Sequence, residues 1–386
     1  MKNIYLDHAA TCPTDPEVVN AMLPYFTENY GNPSSIYSIS RTTRHAIENA
    51  REILAKAIGA GPGEIVFTSG GSESDNFAIK GVAHALREKG RHIITSQIEH
   101  HAVLYTCKFL EKNGYDISYL PVDSDGIVKM DELEKAIRQD TILITIMHAN
   151  NEIGSIQPIR EIGEIAKKHK IAFHTDAVQT FGHIPVNVDE LNVDLLSISG
   201  HKFYGPKGVG ALYIRRGIKI TPQIHGGDQE RRRRASTENV PGIVGLGKAV
   251  EIALGIMNDE TKRQAQLRDA FIEKILNTIP DSRLNGHATQ RLPNNINISF
   301  KGIEGESILL NLDMFGIAAS TGSACSSSSL EPSHVLLAIG LDHELAHGSV
   351  RFSLGKHTTL EELDRVAEIL PGIIKKLRAM SPLYNQ

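Results

Sequence analysis

Hydrophobic positions in the first two thirds of the chain fall into short, continuous runs separated by helical patterns. The runs are Glu64–Thr68, His92–Thr95, Ile142–Ile146, Ile171–His174, Val193–Ile198 and Gly210–Ile214. Runs that do not alternate with polar residues predict strands covered on both faces. Between them, apolar residues recur at helical spacing. Ile47, Ala50, Leu54, Ala57 and Ile58 precede a stop at Gly59, and Val103, Cys107 and Leu110 precede Gly114. Ile159, Ile162, Ile165 and Ala166 form a third stripe. This alternation predicts an α/β fold, a mostly parallel sheet with helices on both sides.

The texture changes after about residue 255. Thr261–Ile279 carries Leu267, Phe271, Ile275 and Ile279 on one helical face, and Asn295–Phe300 and Arg351–Leu354 are strand candidates. Ser320–Ser329 is a Gly/Ser-rich loop, and Leu360–Leu377 is a helical pattern interrupted at Pro371. The expected organisation is a large domain over residues 15–258 and a smaller α+β domain from residues 1–14 and 259–386. The smaller domain carries the loop at about 320–332. No pattern assigns the first dozen residues a structure.

Composition narrows the class. Of 386 residues, 41% are hydrophobic and 22% charged, an ordinary globular mix that excludes disordered and collagen-like chains. The formal net charge of −4 gives no overall basic excess for nucleic acid or an anionic membrane. No uninterrupted apolar stretch approaches the ~18 residues of a spanning helix, and the first residues reach Asp7 before any signal-like apolar core forms. Cys12, Cys107 and Cys325 are far apart, so a disulfide framework or a cysteine zinc site is not expected and a reducing cytoplasm is. One local exception is Arg231–Arg234. It reads as a solvated or ion-paired loop, with a patch for RNA or an acidic partner as the alternative.

The unusual polar residues fall where the predicted strands end. Thr68–Asn76 follows the first run, Glu99-His100-His101 the second, and His148–Glu152 the third. Asp176 and Gln179 follow the fourth, and Ser199-Gly200-His201-Lys202 the fifth. Carboxyl ends of strands are where open α/β sheets bind ligands. Singly, each has a structural explanation: a β–α turn at Ser69–Ser72, a helix cap at Asp176, a surface lysine at Lys202. Adjacent His100 and His101 are poorly placed to share one metal ion. Together they supply an anion cup at a helix start, a carboxylate, an imidazole and a lysine. Pyridoxal phosphate requires that set: a Schiff-base lysine, a partner for its pyridinium nitrogen and a phosphate site.

Asp176-Ala177-Val178-Gln179 and Ser199–Gly208 resemble the cysteine desulfurases, class V aminotransferases among the fold-type I pyridoxal-phosphate enzymes. The likeness extends from Tyr5-Leu6-Asp7 and Gly31–Ser35 to Arg351–Gly355. Ser323-Ala324-Cys325 followed by Leu330–Leu336 resembles the nitrogen-fixation and iron–sulfur-cluster branch. The resemblance implies a seven-stranded sheet and a homodimer that turns L-cysteine into L-alanine. Sulfur would pass to an iron–sulfur scaffold protein, with tRNA or cofactor thiolation as further outlets.

By position, the resemblance makes Lys202 the attachment point and proton shuttle, Asp176 the partner of the pyridinium nitrogen, and His100 the stacking ring that assists proton transfer. Asn151 and Gln179 would bond near the phenolic oxygen. Gly71, Ser72, Ser199 and His201 would hold the phosphate, joined by Thr237 of the neighbouring subunit. Arg351 would clamp the substrate carboxylate, with Asn32 and Asn151 beside the substrate. Cys325 would be the nucleophile that becomes a persulfide. No fixed metal site is implied, though Cys325 is a candidate transient ligand of a cluster shared with the scaffold. His8, Cys12 and Ser72 depart from the commoner Asn, Thr and Thr, and the arginine run departs from Arg-Ser-Gly-Thr. A selenocysteine lyase or aminotransferase is the rival within the fold. A nucleic-acid-binding module and a thiol hydrolase are the rivals outside it.

Overall fold

The protein is described by a computed structural model covering residues 3–321, 331–382 and 384. Its strands in chain order are β1 (Ile4–Tyr5), β2 (Ile65–Thr68), β3 (His92–Ser96), β4 (Asp116–Leu120), β5 (Thr141–Thr145) and β6 (Ala172–Asp176). They continue as β7 (Leu195–Ser199), β8 (Gly210–Ile214), β9 (Ser282–Leu284), β10 (Asn295–Phe300), β11 (Ile317–Ala318) and β12 (Ser349–Ser353).

Seven strands form one sheet in the order β2-β8-β7-β6-β5-β3-β4. Strand β8 runs antiparallel to both neighbours, and the other pairings are parallel. Every residue of β2, β3 and β5–β8 is buried, which is why these strands read as continuous apolar runs. Consecutive residues serve opposite faces. Phe67, Ile94, Ile144 and Leu196 enter one core with the helices Ser38–Ala57 and Ile159–His169. Val66, Ile93, Leu143 and Leu195 enter the other with Gly71–Leu86 and His101–Glu111. Cys107 sits in that second core. Strand β4 is the edge, and its half-exposed Asp-Ile-Ser-Tyr-Leu lacks the apolar continuity that marks the others.

A separate core joins Ile4 and Leu6 to Phe271, Ile298, Phe352, Val366 and Ile374. It backs the antiparallel sheet β12-β10-β9, and β1 pairs in parallel with β11. The helix Val240–Thr278 is 39 residues long, so it runs unbroken across residue 258. Its Ile243, Leu246 and Val250 lie in the large core, and its Phe271, Ile272 and Ile275 in the small one. The segment Val335–Ala346 also packs into the large core. By length and composition this long helix could cross a membrane, but half of its apolar stretch is buried within the protein.

The helix Leu360–Met380 passes through Pro371 without interruption, contrary to the expected break. Proline removes one backbone donor and crowds the preceding turn. A capping box of Thr359 and Glu362 starts the helix, and buried Leu370, Ile373 and Ile374 hold the residues on either side. That packing outweighs the lost hydrogen bond.

Candidate active site

Five parallel strands point their carboxyl ends at one edge of the large sheet, and the side chains beyond them close around a cavity of about 270 Å³. After β2, Gly70 takes φ +152° and starts the helix Gly71–Leu86. A Cβ on Gly71 would lie 2.7 Å from Val178 Cγ2, so the cup tolerates no side chain there. The first turn of this helix leaves its N–H groups unpaired, and Ser72, Ser199 and His201 face the same space. These groups fit a phosphate.

After β3, His100 caps the helix His101–Glu111. Its Nδ1 accepts a hydrogen bond from the Ala102 N–H at 3.1 Å, which places the ring proton on Nε2. Burial and the Lys202 charge lower its pKa to about 4, so the ring is neutral at physiological pH. After β5 comes Asn151, while Asp176 closes β6 and Gln179 follows it, all on the cavity wall. Asp176 Oδ1 accepts from the Val178 N–H at 2.9 Å. Burial raises its pKa to about 6, opposed by that bond and by Lys202.

Lys202 ends a short 3-10 turn after β7. Its Nζ donates to the carbonyls of Ala9 and Ala10 at 2.7 and 2.9 Å, and its own carbonyl accepts from Cys12 Sγ. Gln179 Nε2 donates to the Ala9 carbonyl at 3.0 Å. Arg351, on β12, is buried and enters the cavity from the small core. It bonds the Asn151 carbonyl through Nη1 at 2.9 Å and pairs with Asp7 through Nη2 at 2.8 Å. The departures His8 and Cys12 lie in the segment that seats Lys202, outside this cavity.

Asn32 is exposed, its Oδ1 accepting from the Ser34 N–H. Thr237 is exposed outside the cavity of one protomer. Cys325 lies outside the described residues. The arginine run is ion-paired or bonded within its own chain: Arg231 to the Pro62 carbonyl, Arg232 to Asp228, Arg233 to the Gly63 carbonyl and Arg234 to Glu73.

Several wall residues had no assigned role. Asp75, Glu152 and His334 lie within sequence stretches marked as polar or family-like, but their direction depended on the fold. The carbonyls of Ala9 and Ala10 carry no sequence signature at all. Asp75 is buried, and among the described residues its Oδ1 has no hydrogen-bond partner. Burial and neighbouring Asp176 push its pKa upward.

The set fits pyridoxal phosphate: a glycine-floored cup, a buried carboxylate on the cavity wall, a neutral imidazole, and an amine held on main-chain carbonyls. The class-V aminotransferase model matches residues 4–366, and the chain belongs to that family, within its pyridoxal-phosphate-dependent cysteine desulfurases. "Cysteine desulfurase IscS" of Methanosarcina thermophila is 63% identical over 382 residues, covering 99% of this chain and 94% of the relative. That of Dictyoglomus turgidum is 64% identical, covering 100% and 98%. Among solved structures, a NifS-like protein superposes with a TM-score of 0.92 at 41% identity, covering 97% of this chain and all of the other. SspA in complex with cysteine superposes at 0.82 with 42% identity, covering 92% and 100%.

Proposed function

We propose that this desulfurase acts as a homodimer, releases L-alanine from L-cysteine and keeps the sulfur as a persulfide on Cys325. The sulfur then goes to an iron–sulfur scaffold, with tRNA or cofactor thiolation as further outlets. The observation that carries the reading is the convergence of Lys202, Asp176 and the Gly71 cup on a cavity that also holds Arg351. The related SspA was solved with cysteine, which supports the substrate.

Lys202, Asp176, His100 and the cup would hold pyridoxal phosphate, which when bound supplies an electron-accepting ring beside the substrate α-carbon. The remaining work belongs to side chains. Arg351 takes the substrate carboxylate through its planar fork, its direction fixed by Asp7 and Asn151. Lys202 carries protons between α-carbon and side chain. The Cys325 sulfur attacks the substrate sulfur: an S–S bond forms, the Cβ–S bond breaks, and the electron pair left on carbon takes a proton to give the alanine methyl.

The described ends of the Cys325 loop support its role. Ser320 pairs backbone to backbone with Arg351, and Ser333 Oγ donates to Glu152, so both stems end on the cavity wall. Cys325 lies five positions beyond Ser320, a reach of at most ~18 Å. Exposed Leu23, Phe26, Tyr30 and Ile36 supply apolar surface for a second copy.

The test is Cys325→Ser. The yellow cofactor band on Lys202 should remain, alanine formation should cease, and the sulfur-labelled peptide of the wild type should disappear. Sustained alanine formation refutes the persulfide route. Mercaptopyruvate formation instead favours an aminotransferase.

A further inference from the structure

One member of the arginine run is tied to the phosphate cup. Arg231 and Arg232 are exposed, whereas Arg234 makes a two-point pair with Glu73. Its Nε lies 2.9 Å from Oε1 and its Nη2 3.2 Å from Oε2. The two side chains are 21% and 18% exposed, so water screens them less than a surface pair. Glu73 stands in the first turn of the helix Gly71–Leu86, two residues past the floor of the cup. Its Oε2 also accepts the Ser69 N–H at 2.8 Å.

An acidic residue in the first turn ordinarily favours a helix, because it faces the positive end of the dipole. In this helix that end is reserved for another anion. The Glu73 N–H is itself one of the first-turn donors that make a phosphate site, so a bare carboxylate on the same residue would oppose the phosphate. The carboxylate is ionised at neutral pH: burial raises its pKa, but the bonds from Arg234 and Ser69 hold it below the ordinary value. Arg234 answers that charge with its own, through a planar fork that suits a carboxylate.

The loop that carries Arg234 is itself firmly held. Glu230 is buried, pairs with buried Arg51 at 2.8 Å and accepts the Phe67 N–H at 2.8 Å. Phe67 lies on β2, the strand that leads into the cup. One loop therefore grips the strand–turn–helix unit on both sides of Ser69 and Gly70, at Phe67 through Glu230 and at Glu73 through Arg234. Glu230, Arg231 and Arg232 take φ of +47°, +57° and +65°, a left-handed stretch that side chains disfavour. Such strain persists where surrounding contacts over-determine it, and it marks functional segments.

We propose that Arg234 is a positioning residue for the cofactor phosphate: it cancels the Glu73 charge beside the cup and steadies the Ser69–Gly70 turn. The inference rests on the pyridoxal-phosphate reading of the cavity and is independent of the route the sulfur takes.

The test is a double-mutant cycle on cofactor-stripped protein, read as affinity for pyridoxal phosphate and for pyridoxal, which lacks the phosphate. Arg234→Gln should weaken pyridoxal phosphate roughly tenfold, the effect of a charge at a helix terminus, and leave pyridoxal within about twofold. Glu73→Gln keeps an acceptor for the Ser69 N–H and should bind pyridoxal phosphate at least as tightly as the wild type. The double variant should return to within about threefold of the wild type, because losses of packing would add whereas cancelled charges do not. Unchanged affinity in Arg234→Gln, a double variant as weak as that single one, or an equal loss of both ligands overturns the proposal. So does a Glu73→Gln protein that loses affinity for pyridoxal phosphate alone, and this variant decides by itself should Arg234→Gln not fold. A wild type that binds neither ligand overturns the pyridoxal-phosphate reading as well, which keeps the two failures apart.

Discussion

The same substitution at Asp176 should stabilise the cofactor-free protein and ruin the loaded one. Asp176 is buried, and even with the Lys202 charge nearby its carboxyl is pushed from 3.8 to about 6. A raised folded-state pKa means that the folded protein holds the proton more tightly than the unfolded chain. The stabilisation is therefore complete below about pH 4 and is lost as pH rises through 6. Above that, the ionised group costs ~3 kcal/mol relative to its protonated state. Asp176→Asn keeps the acceptor for the Val178 N–H and removes the charge. The stripped variant should therefore resist urea better than stripped wild type at pH 8, by up to ~3 kcal/mol, and the gain should vanish near pH 4. With cofactor the sign reverses. An ion pair at 4 Å and effective dielectric 20 is worth about 4 kcal/mol, so cofactor affinity should fall ~1000-fold. Paired urea titrations of stripped and loaded enzyme measure both. A stripped variant weaker than wild type at pH 8 would refute the claim that Asp176 is a group under strain until its partner arrives.

Three further outcomes follow from contacts already described. Asp7→Asn removes one of the anchors of Arg351 (2.8 Å). A charge-assisted bond is worth about 1.5–3 kcal/mol, so KM for cysteine should rise roughly tenfold or more with a smaller change in kcat; an unchanged KM counts against the carboxylate clamp. Gly71→Ala puts a methyl 2.7 Å from Val178 Cγ2. Cofactor release measured by absorbance should quicken, whereas Ser72→Thr should leave it nearly unchanged. Glu230 pairs with buried Arg51 at 2.8 Å and also accepts the Phe67 N–H. Glu230→Ala strands both donors and should cost about 3–5 kcal/mol, read as a lower urea midpoint at unchanged slope; a loss below 1 kcal/mol would show that water has replaced the carboxylate.

The strands of the large sheet were legible because burial on both faces forces apolar continuity. Strand β4 was not, because an edge strand is free to expose Asp116 and to leave its next three residues half-buried. The pairing of β1 with β11 joins two-residue strands more than 300 residues apart, and two residues hold no periodicity. In the site, Gly71, His100, Asp176 and Lys202 were legible because each sits at the end of a strand or within four residues of it. Asp75 was hidden in a helical stripe, where only the packing of Gly71–Leu86 on the sheet shows which way it faces. His334 was visible as part of a family-like stretch without a role, since its place on the wall depends on a contact with the Glu99 carbonyl, more than 200 residues away.

The segment from Ile4 to Cys12 is synthesised before all of its partners, and these arrive at widely different times. It seats Lys202 from the middle of the chain, while Leu6 and Ala9 bond Ser353 and Asp7 holds Arg351. On the ribosome, the large sheet can be completed by residue 214 while its amine still lacks a fixed floor. Ligand capture in the native geometry must therefore wait until β12 has emerged. A nascent chain stalled before residue 349 should carry most of its fold and none of its colour.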